Sequence, residues 1–293
     1  MKREDFSWTK FSHENVTMIS RIEAIRKIID QEVSLEPCLP EIAEIEQRYD
    51  ALYHDYIDGK LKHRELYDLA SDLDMDIDTL YSKMRHEWIL ANESTFVALR
   101  KRAQKLTSFD EVQETFEKFA TDEAMLNLRV DLSEEQIDEE RQKIQEQLNA
   151  YRNMVFSYIL TTEEWNDDFV KNILDIIASD LVDPYTINMI VSAVSLSCSV
   201  FFDAPRLAVL MRLIKSDDST CSVRQRALVG FVFCAITNSG EKQKYWDSAA
   251  GLIMDDEFLA ACVDLQRQMR LCLTSKKDSK EICLLYTSPS PRD

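Results

Sequence analysis

The sequence predicts an all-α protein, and three features of its composition indicate this class. Glycine occurs only four times in 293 residues, and none lies between Gly59 and Gly230. No proline lies between Pro40 and Pro184. Sheets joined by tight turns need these two residue types, whereas helices joined by polar caps do not. Hydrophobic residues make up 45% of the chain, which is enough to form a core.

Helical periodicity predicts the first elements. Between residues 15 and 33 the apolar positions recur on one helical stripe, formed by Val16, Ile19, Ile22, Ile25, Ile28 and Ile29. Pro37 and Pro40 end this unit, and the helix that follows is expected to close at Gly59. Shorter helices are predicted around residues 61–72, 77–92, 94–107 and 109–120.

A long helix is predicted from about residue 134 to 160. Ser133 and Gln136 have the spacing of a capping box at its start. Its apolar positions are Ile137, Ile144, Leu148, Tyr151 and Val155. We expect this helix to end an acidic helical N-terminal region, residues 1–160, and to join two halves of the molecule.

Beyond residue 160, polar turns recur at regular intervals between helices of about 12 to 18 residues. Short turns between such helices favour antiparallel neighbours. The segment "IVSAVSLS" at 190–197 aligns with "ALVGFVFC" at 227–234, 37 residues later, and small Ala193 matches Gly230. Because close stacking of helices needs a small residue, this recurrence predicts stacked helical hairpins, an α-solenoid. The apolar stretch 222–236 is then expected to be buried on every side.

One segment resembles a known repeat type. "SDDSTCSVRQRALVGF" is similar to a HEAT-type repeat, with Asp217 and Asp218 before the second helix and Val223 and Arg224 at its entry. More broadly, residues 40–281 resemble the N-terminal part of uncharacterised bacterial proteins with HEAT-like or tetratricopeptide-like repeats. The resemblance implies HEAT-like antiparallel helical hairpins over residues 161–282, with further repeats beyond them. It implies no catalytic residue.

The last residues have a different character. "CLLYTSPSPRD", residues 283–293, resembles the translation of a sequencing-library adapter, so we expect a non-native tail and a truncated natural chain. A solenoid without a polar terminal cap exposes apolar side chains. The side chains expected at such an end are Leu265, Met269, Leu271 and Leu273. We therefore expect self-association through this end.

Charge and cysteine content restrict the partners and the compartment. The net charge is −18, and residues 1–150 carry 34 acidic but only 20 basic side chains. Such a chain is repelled by nucleic acid and by anionic lipid, so a protein or peptide partner is favoured. Six scattered cysteines precede the tail, which is typical of buried, reduced thiols in a cytoplasmic protein.

No membrane segment is expected. The N-terminus lacks the apolar core of a signal peptide. Residues 184–202 are free of charge, but they include Asn188 and four serines and have no basic flanks. A buried helix is the better interpretation.

Residues 66–84 are similar in pattern to a DNA-binding helix-turn-helix, and a nucleic-acid-binding regulator is therefore the alternative function. However, Asp74, Asp76 and Asp78 would face phosphates. The same run fails as a calcium loop, because Ile77 and Lys83 stand where glycine and glutamate are required. We expect a helical hairpin whose acidic turn caps a helix beginning near Ile77.

No catalytic, cofactor-binding or metal-binding residue is predicted. The histidines lie in polar surroundings without the spacing of a metal site; they are His13, His54, His63 and His86. The acids around Trp165 suit the start of a helix; they are Glu163, Glu164, Asp167 and Asp168. Arg224 and Arg226 are expected to pair with carboxylates of a neighbouring repeat. The sequence thus predicts a non-enzymatic protein–protein interaction scaffold without a cofactor.

Overall fold

The structure is a computed structural model that describes residues 17–216, 219–238, 246 and 249–287, except for the side chains of 273 and 275–287. Within these ranges all regular structure is helical and no strand occurs, which confirms the all-α class. The α-helices are α1 (Met18–Gln31), α2 (Leu39–Ile57), α3 (His63–Asn92), α4 (Ser94–Ala103), α5 (Val112–Leu126), α6 (Glu134–Thr161), α7 (Asp167–Ala178), α8 (Pro184–Val200), α9 (Ala204–Lys215), α10 (Cys221–Thr237), α11 (Ala250–Ile253) and α12 (Asp256–Thr287). A 3-10 helix, Val33–Cys38, joins α1 to α2.

Several predicted helix ends are confirmed. Gly59 follows α2 with a φ of +68°, a left-handed conformation that favours glycine. At the start of α6, the Ser133 backbone N–H donates to Gln136 Oε1 at 3.0 Å, and the Gln136 N–H donates to Ser133 Oγ at 3.3 Å. This is the predicted capping box, and it satisfies N–H groups that have no partner within the helix.

The chain forms two compact units. The first contains Met1–Lys105 and Thr161–Glu164, and the second contains Leu106–Leu160 and Trp165–Asp293. The sequence placed a single boundary at residue 160, whereas the chain passes between the units after Lys105, Leu160 and Glu164. Helix α6 belongs to the second unit up to Leu160, and its last residue, Thr161, belongs to the first. Aromatic contacts explain this, since the Phe109 ring lies 4.5 Å from that of Phe169 across the expected boundary.

The core of the first unit is built from α1, α2, α3 and the 3-10 helix. Its buried side chains are Ile22, Ile25, Ile28, Ile29, Leu35, Cys38, Ile42, Ile45, Leu73, Ile77, Leu80 and Met84. The four from α3 recur at intervals of three and four residues, so they form one continuous apolar face. This apolar face runs through residues 66–84, where the sequence predicted an interruption of the helix.

The helix-turn-helix and acidic-turn interpretations of residues 66–84 are therefore wrong. Helix α3 is continuous over 30 residues. Three of its carboxylates form ion pairs with neighbouring helices: Arg21 of α1 pairs with Asp74 and Asp78, and Arg48 of α2 pairs with Asp76. These ion pairs remove the charge repulsion that an isolated acidic helix would carry.

In the second unit, four helices follow a constant spacing. Helices α7 and α9 each contain 12 residues, and α9 begins and ends 37 residues after α7. Helices α8 and α10 each contain 17 residues, and α10 begins and ends 37 residues after α8. All four have a side-chain N-cap, from Asn166, Asp183, Asp203 and Thr220.

Burial follows the same spacing. Ala193 of α8 and Gly230 of α10 occupy matched positions, and both are buried. Leu196 and Phe233 also occupy matched positions, and both are exposed. Helix α8 packs against α7, α9 and α10, as expected for its charge-free sequence. No helix in the described part of the chain is long and apolar enough to cross a membrane.

The cysteines and the C-terminal helix agree in part with expectation. Cys38, Cys198 and Cys234 are buried, but Cys221 and Cys272 are exposed, so the expectation of buried thiols is wrong for these two. Cys221 occupies the first turn of α10, where the side chain points away from the core. In α12, Leu271 is exposed as expected, whereas Leu265 and Met269 are partly buried and Leu265 packs against the core of the second unit. The side chains of Leu273 and of the predicted tail 283–293 lie outside the described residues.

Candidate interaction surface on helices α8 and α10

Helices α8 and α10 lie side by side and run in the same direction. Four side-chain contacts join them, between Asn188 and Ser222, Ser192 and Arg226, Cys198 and Cys234, and Ser199 and Asn238. The residue numbers rise together along both helices, which sets the common direction. The two contacts at Asn188 and Ser192 are exposed to solvent, at 3.0 and 2.7 Å, so this edge of the interface forms part of the surface.

Gly230 allows α10 to approach α8 closely. A Cβ atom at this position would lie 2.5 Å from Ser195 Cβ and 3.5 Å from Ser195 Cα. The first distance is far inside van der Waals contact, so any side chain here would push the helices apart. The small residue that the sequence recurrence singled out therefore marks a real point of close packing.

Two buried arginines hold α8 at both ends. Arg152 of α6 donates from Nε to Thr186 Oγ1 at 2.7 Å and from a terminal nitrogen to Asp183 Oδ2 at 2.8 Å. Burial raises the pKa of Asp183, but the hydrogen bonds from Thr186 and Arg152 outweigh it and leave this pKa below its ordinary value. Near the other end, Arg206 of α9 donates to Ser197 Oγ at 2.9 Å. The surface of α8 is thus rigidly positioned.

Arg206 is itself enclosed. It is 2% exposed, it pairs with Asp203, and its guanidinium lies 4.9 Å above the ring of Trp165. Burial raises the pKa of Asp203, and the positive charge of Arg206 opposes that rise. A buried ion pair of this kind fixes geometry more than it adds stability.

The α8/α10 face is the solvent-facing side of these two helices. It carries exposed apolar side chains, namely Tyr185 at 69%, Leu196 at 50%, Phe233 at 46% and Ile236 at 59% exposure. The expectation that residues 222–236 are buried on every side is therefore wrong for one side. A helix that is apolar all round does not reveal from its sequence which side stays open.

The α8/α10 face is poor in charge. Helix α8 contains no charged residue, and α10 contains only Arg224 and Arg226. Arg226 donates to Ser192 Oγ, and Arg224 donates to the Ser216 carbonyl oxygen at 2.9 Å. Carboxylate partners were expected for both arginines, and in the described part of the chain the contacts are with a hydroxyl and a carbonyl oxygen instead. The chain as a whole has a net charge of −18, whereas this face is neutral to slightly basic.

The other residues considered from sequence are placed as follows. Asp167 and Asp168 lie in the first turn of α7, which confirms their expected role at a helix start. His54 and His63 are exposed, whereas His86 is buried at 4% exposure. Ile89 and Leu90 follow it at helical spacing, and this was the available signal for its burial. His13, Asp217 and Asp218 lie outside the described residues.

The α8/α10 face combines apolar side chains with hydroxyl, amide and guanidinium groups, which suits non-covalent binding of a polypeptide. Comparison with protein-family models, with curated proteins and with solved structures gave no match.

Proposed function

We propose that α7–α8 and α9–α10 are two copies of a HEAT-like helical repeat and that the protein is a non-enzymatic interaction scaffold. Within this proposal each pair is an antiparallel hairpin, and the hairpins stack as an α-solenoid. The constant spacing of 37 residues, the equal helix lengths and the common direction of α8 and α10 support it. The free cysteines favour a reducing, cytoplasmic setting.

The observation that carries the proposal is the exposure of Leu196 and Phe233 at matched positions. Most other matched apolar positions are buried. Leu196 and Phe233 instead leave about half of their apolar surface in water, which is unfavourable for the isolated chain and is relieved when a partner covers them. Side chains presented at a repeated spacing by parallel helices form an extended binding surface. The partner that fits is an apolar, uncharged segment of another protein, since the α8/α10 face offers no acidic group for a basic ligand.

A second surface supports self-association. Helix α12 exposes Leu259 at 44%, Val263 at 47% and Leu271 at 69%. Exposed apolar side chains that lie close together along one helix are typical of contacts between chains. We propose that two copies of the chain associate through α12.

The α8/α10 face can be tested by selection from a phage-displayed peptide library on the immobilised full chain. We expect convergent apolar peptides that lack basic residues and bind with micromolar affinity. The double substitution Leu196→Gln and Phe233→Gln should weaken these peptides at least about tenfold, because loss of two central apolar contacts costs more than about 1.4 kcal/mol.

Leu181→Gln is the matched control, because Leu181 is 58% exposed but lies before α8, outside the α8/α10 face. It should leave the affinity unchanged. Urea unfolding of each variant establishes that the fold is retained. Peptides that bind the double variant as well as the native chain, or a library that yields no convergent sequence, would contradict the proposal.

A further inference from the structure

Three metal-ligating side chains converge within the first unit. His86 and Glu87 are adjacent residues of α3, and Glu163 belongs to the short segment Thr161–Glu164, which is part of the same compact unit. One ligand atom from each residue lies within 4.8 Å of the other two. Glu163 lies 76 positions after Glu87 and 77 after His86, so only the fold brings it to the other two.

The cluster is enclosed and rich in negative charge. His86 is 4% exposed, and Glu87 and Glu163 are half-buried. Burial raises the pKa of Glu163, and the nearby carboxylates Glu87, Glu164 and Glu41 raise it further against the opposing effect of Lys83. The fold therefore holds acidic groups together in a place where their mutual repulsion is poorly screened by water.

Two fixed cations lie beside carboxylates of this region. Arg100 lies 3.2 Å from Glu87, and Lys83 is paired with Glu41. A carboxylate has two oxygens, so Glu87 can keep Arg100 on one oxygen and bind an ion with the other. Such an outer partner orients the ligand.

We propose that His86, Glu87 and Glu163 bind a divalent transition-metal ion of the zinc type. Imidazole nitrogen and carboxylate oxygen both bind zinc at about 2.0–2.2 Å, which places ligand atoms about 3.4 Å apart around a tetrahedral ion. The atoms already lie within 4.8 Å, so shifts of roughly 1 Å in the side chains close the site. Water completes the fourth position.

The ligand set favours zinc over magnesium or calcium. The latter two ions prefer six or more oxygen ligands, whereas a buried imidazole with two carboxylates suits zinc, cobalt, iron or manganese. The bound ion ties the segment Thr161–Glu164 to α3. This cluster belongs to the first unit and the α8/α10 face to the second, so the proposal does not depend on the proposed scaffold function.

The test is calorimetric titration of the full chain with Zn²⁺, together with the visible absorption spectrum of the Co²⁺ form. We expect one tight site, a rise in Tm with Zn²⁺, and cobalt bands typical of four- or five-coordinate nitrogen and oxygen ligation. Glu163→Gln should weaken Zn²⁺ binding at least about tenfold. It should also leave the metal-free chain folded, because the amide matches the carboxylate in shape and removes its repulsion.

Glu164→Gln is the matched control: this exposed neighbour is outside the three-ligand cluster, and its substitution should weaken Zn²⁺ binding by much less than about tenfold. Glu87→Gln is a second ligand variant and should act like Glu163→Gln. Absence of a tight site in the native chain overturns the proposal. Binding that survives both ligand substitutions, or a cobalt spectrum dominated by thiolate ligation from exposed cysteines, also overturns it.

Discussion

At the scale of single residues, the sequence identified Gly230 but not its neighbour. The recurrence matches Gly230 with Ala193, and both are buried. Across the interface, however, Gly230 meets Ser195, because contacting residues of α8 and α10 are 34 to 39 positions apart and equivalent residues are 37 apart. Sequence equivalence shows which positions need a small residue, whereas the shift between the two helices decides what that residue touches.

Gly230→Ala should destabilise the protein by about 1–2 kcal/mol. Overpacking against Ser195 costs about 1–3 kcal/mol, and the higher helix propensity of alanine returns about 1 kcal/mol at most. Urea unfolding with an unchanged m-value measures the difference.

Two variants make the Gly230 result specific. Gly251→Ala should be neutral or slightly stabilising, since its nearest neighbour is the flexible Lys215 Nζ at 3.9 Å. Adding Ser195→Gly to Gly230→Ala removes the obstructing Cβ and should recover part of the loss. Equal stability of Gly230→Ala and the native chain would show that α8 and α10 are not packed this closely.

At the scale of an element, α3 shows where local sequence misleads. Aspartate is a poor helix former and a good cap, so a run of Asp72, Asp74, Asp76 and Asp78 predicts a turn. The apolar spacing of Leu73 and Ile77 predicts a continuous helix instead, and burial of that face prevails over propensity. The partners Arg21 and Arg48 come from other helices, so no local pattern could reveal them.

Asp76→Pro should destabilise the protein by about 3 kcal/mol or more, because proline inside a helix removes a hydrogen bond and clashes with the preceding turn. Asp76→Ala separates this backbone effect from the loss of the Arg48 ion pair, which contributes about 0–1 kcal/mol at a surface. Urea unfolding of the variants gives the comparison.

The control for Asp76→Pro lies in the same helix. His63 is the first residue of α3, where proline is tolerated because that N–H has no helical partner. His63→Pro should therefore be nearly neutral. If Asp76→Pro is no worse than Asp76→Ala, residues 66–84 are not one continuous helix.

At the scale of the whole molecule, the all-α class, the long helix α6 and the 37-residue recurrence were readable, because they depend on composition and periodicity. The assignment of Leu106–Leu160 to the second unit was not, since it depends on distant contacts such as that of Phe109 with Phe169. The convergence of His86 with Glu163 was hidden for the same reason. Matched positions Leu196 and Phe233 were visible in sequence, but their exposure was not.

Net charge governs whether two copies meet through α12. Each chain carries −18, so like-charge repulsion opposes association at low ionic strength, where the Debye length is about 30 Å at 0.01 M. At 0.5 M salt or above this repulsion is screened to a few ångströms, while burial of apolar side chains persists. We therefore expect monomers at low salt and a growing fraction of dimers as salt is added, measured by analytical ultracentrifugation. The triple substitution Leu259→Gln, Val263→Gln and Leu271→Gln should keep the chain monomeric throughout.

The comparison variant for α12 replaces Leu128 and Val130, which are 74% and 98% exposed between α5 and α6, by glutamine. It reduces surface hydrophobicity without touching α12, so its dimerisation should match that of the native chain. If it too abolishes dimers, general surface hydrophobicity drives association and α12 is not the interface. A native chain that stays monomeric at high salt would show that three half-exposed side chains bury too little apolar area to offset the entropy lost on association.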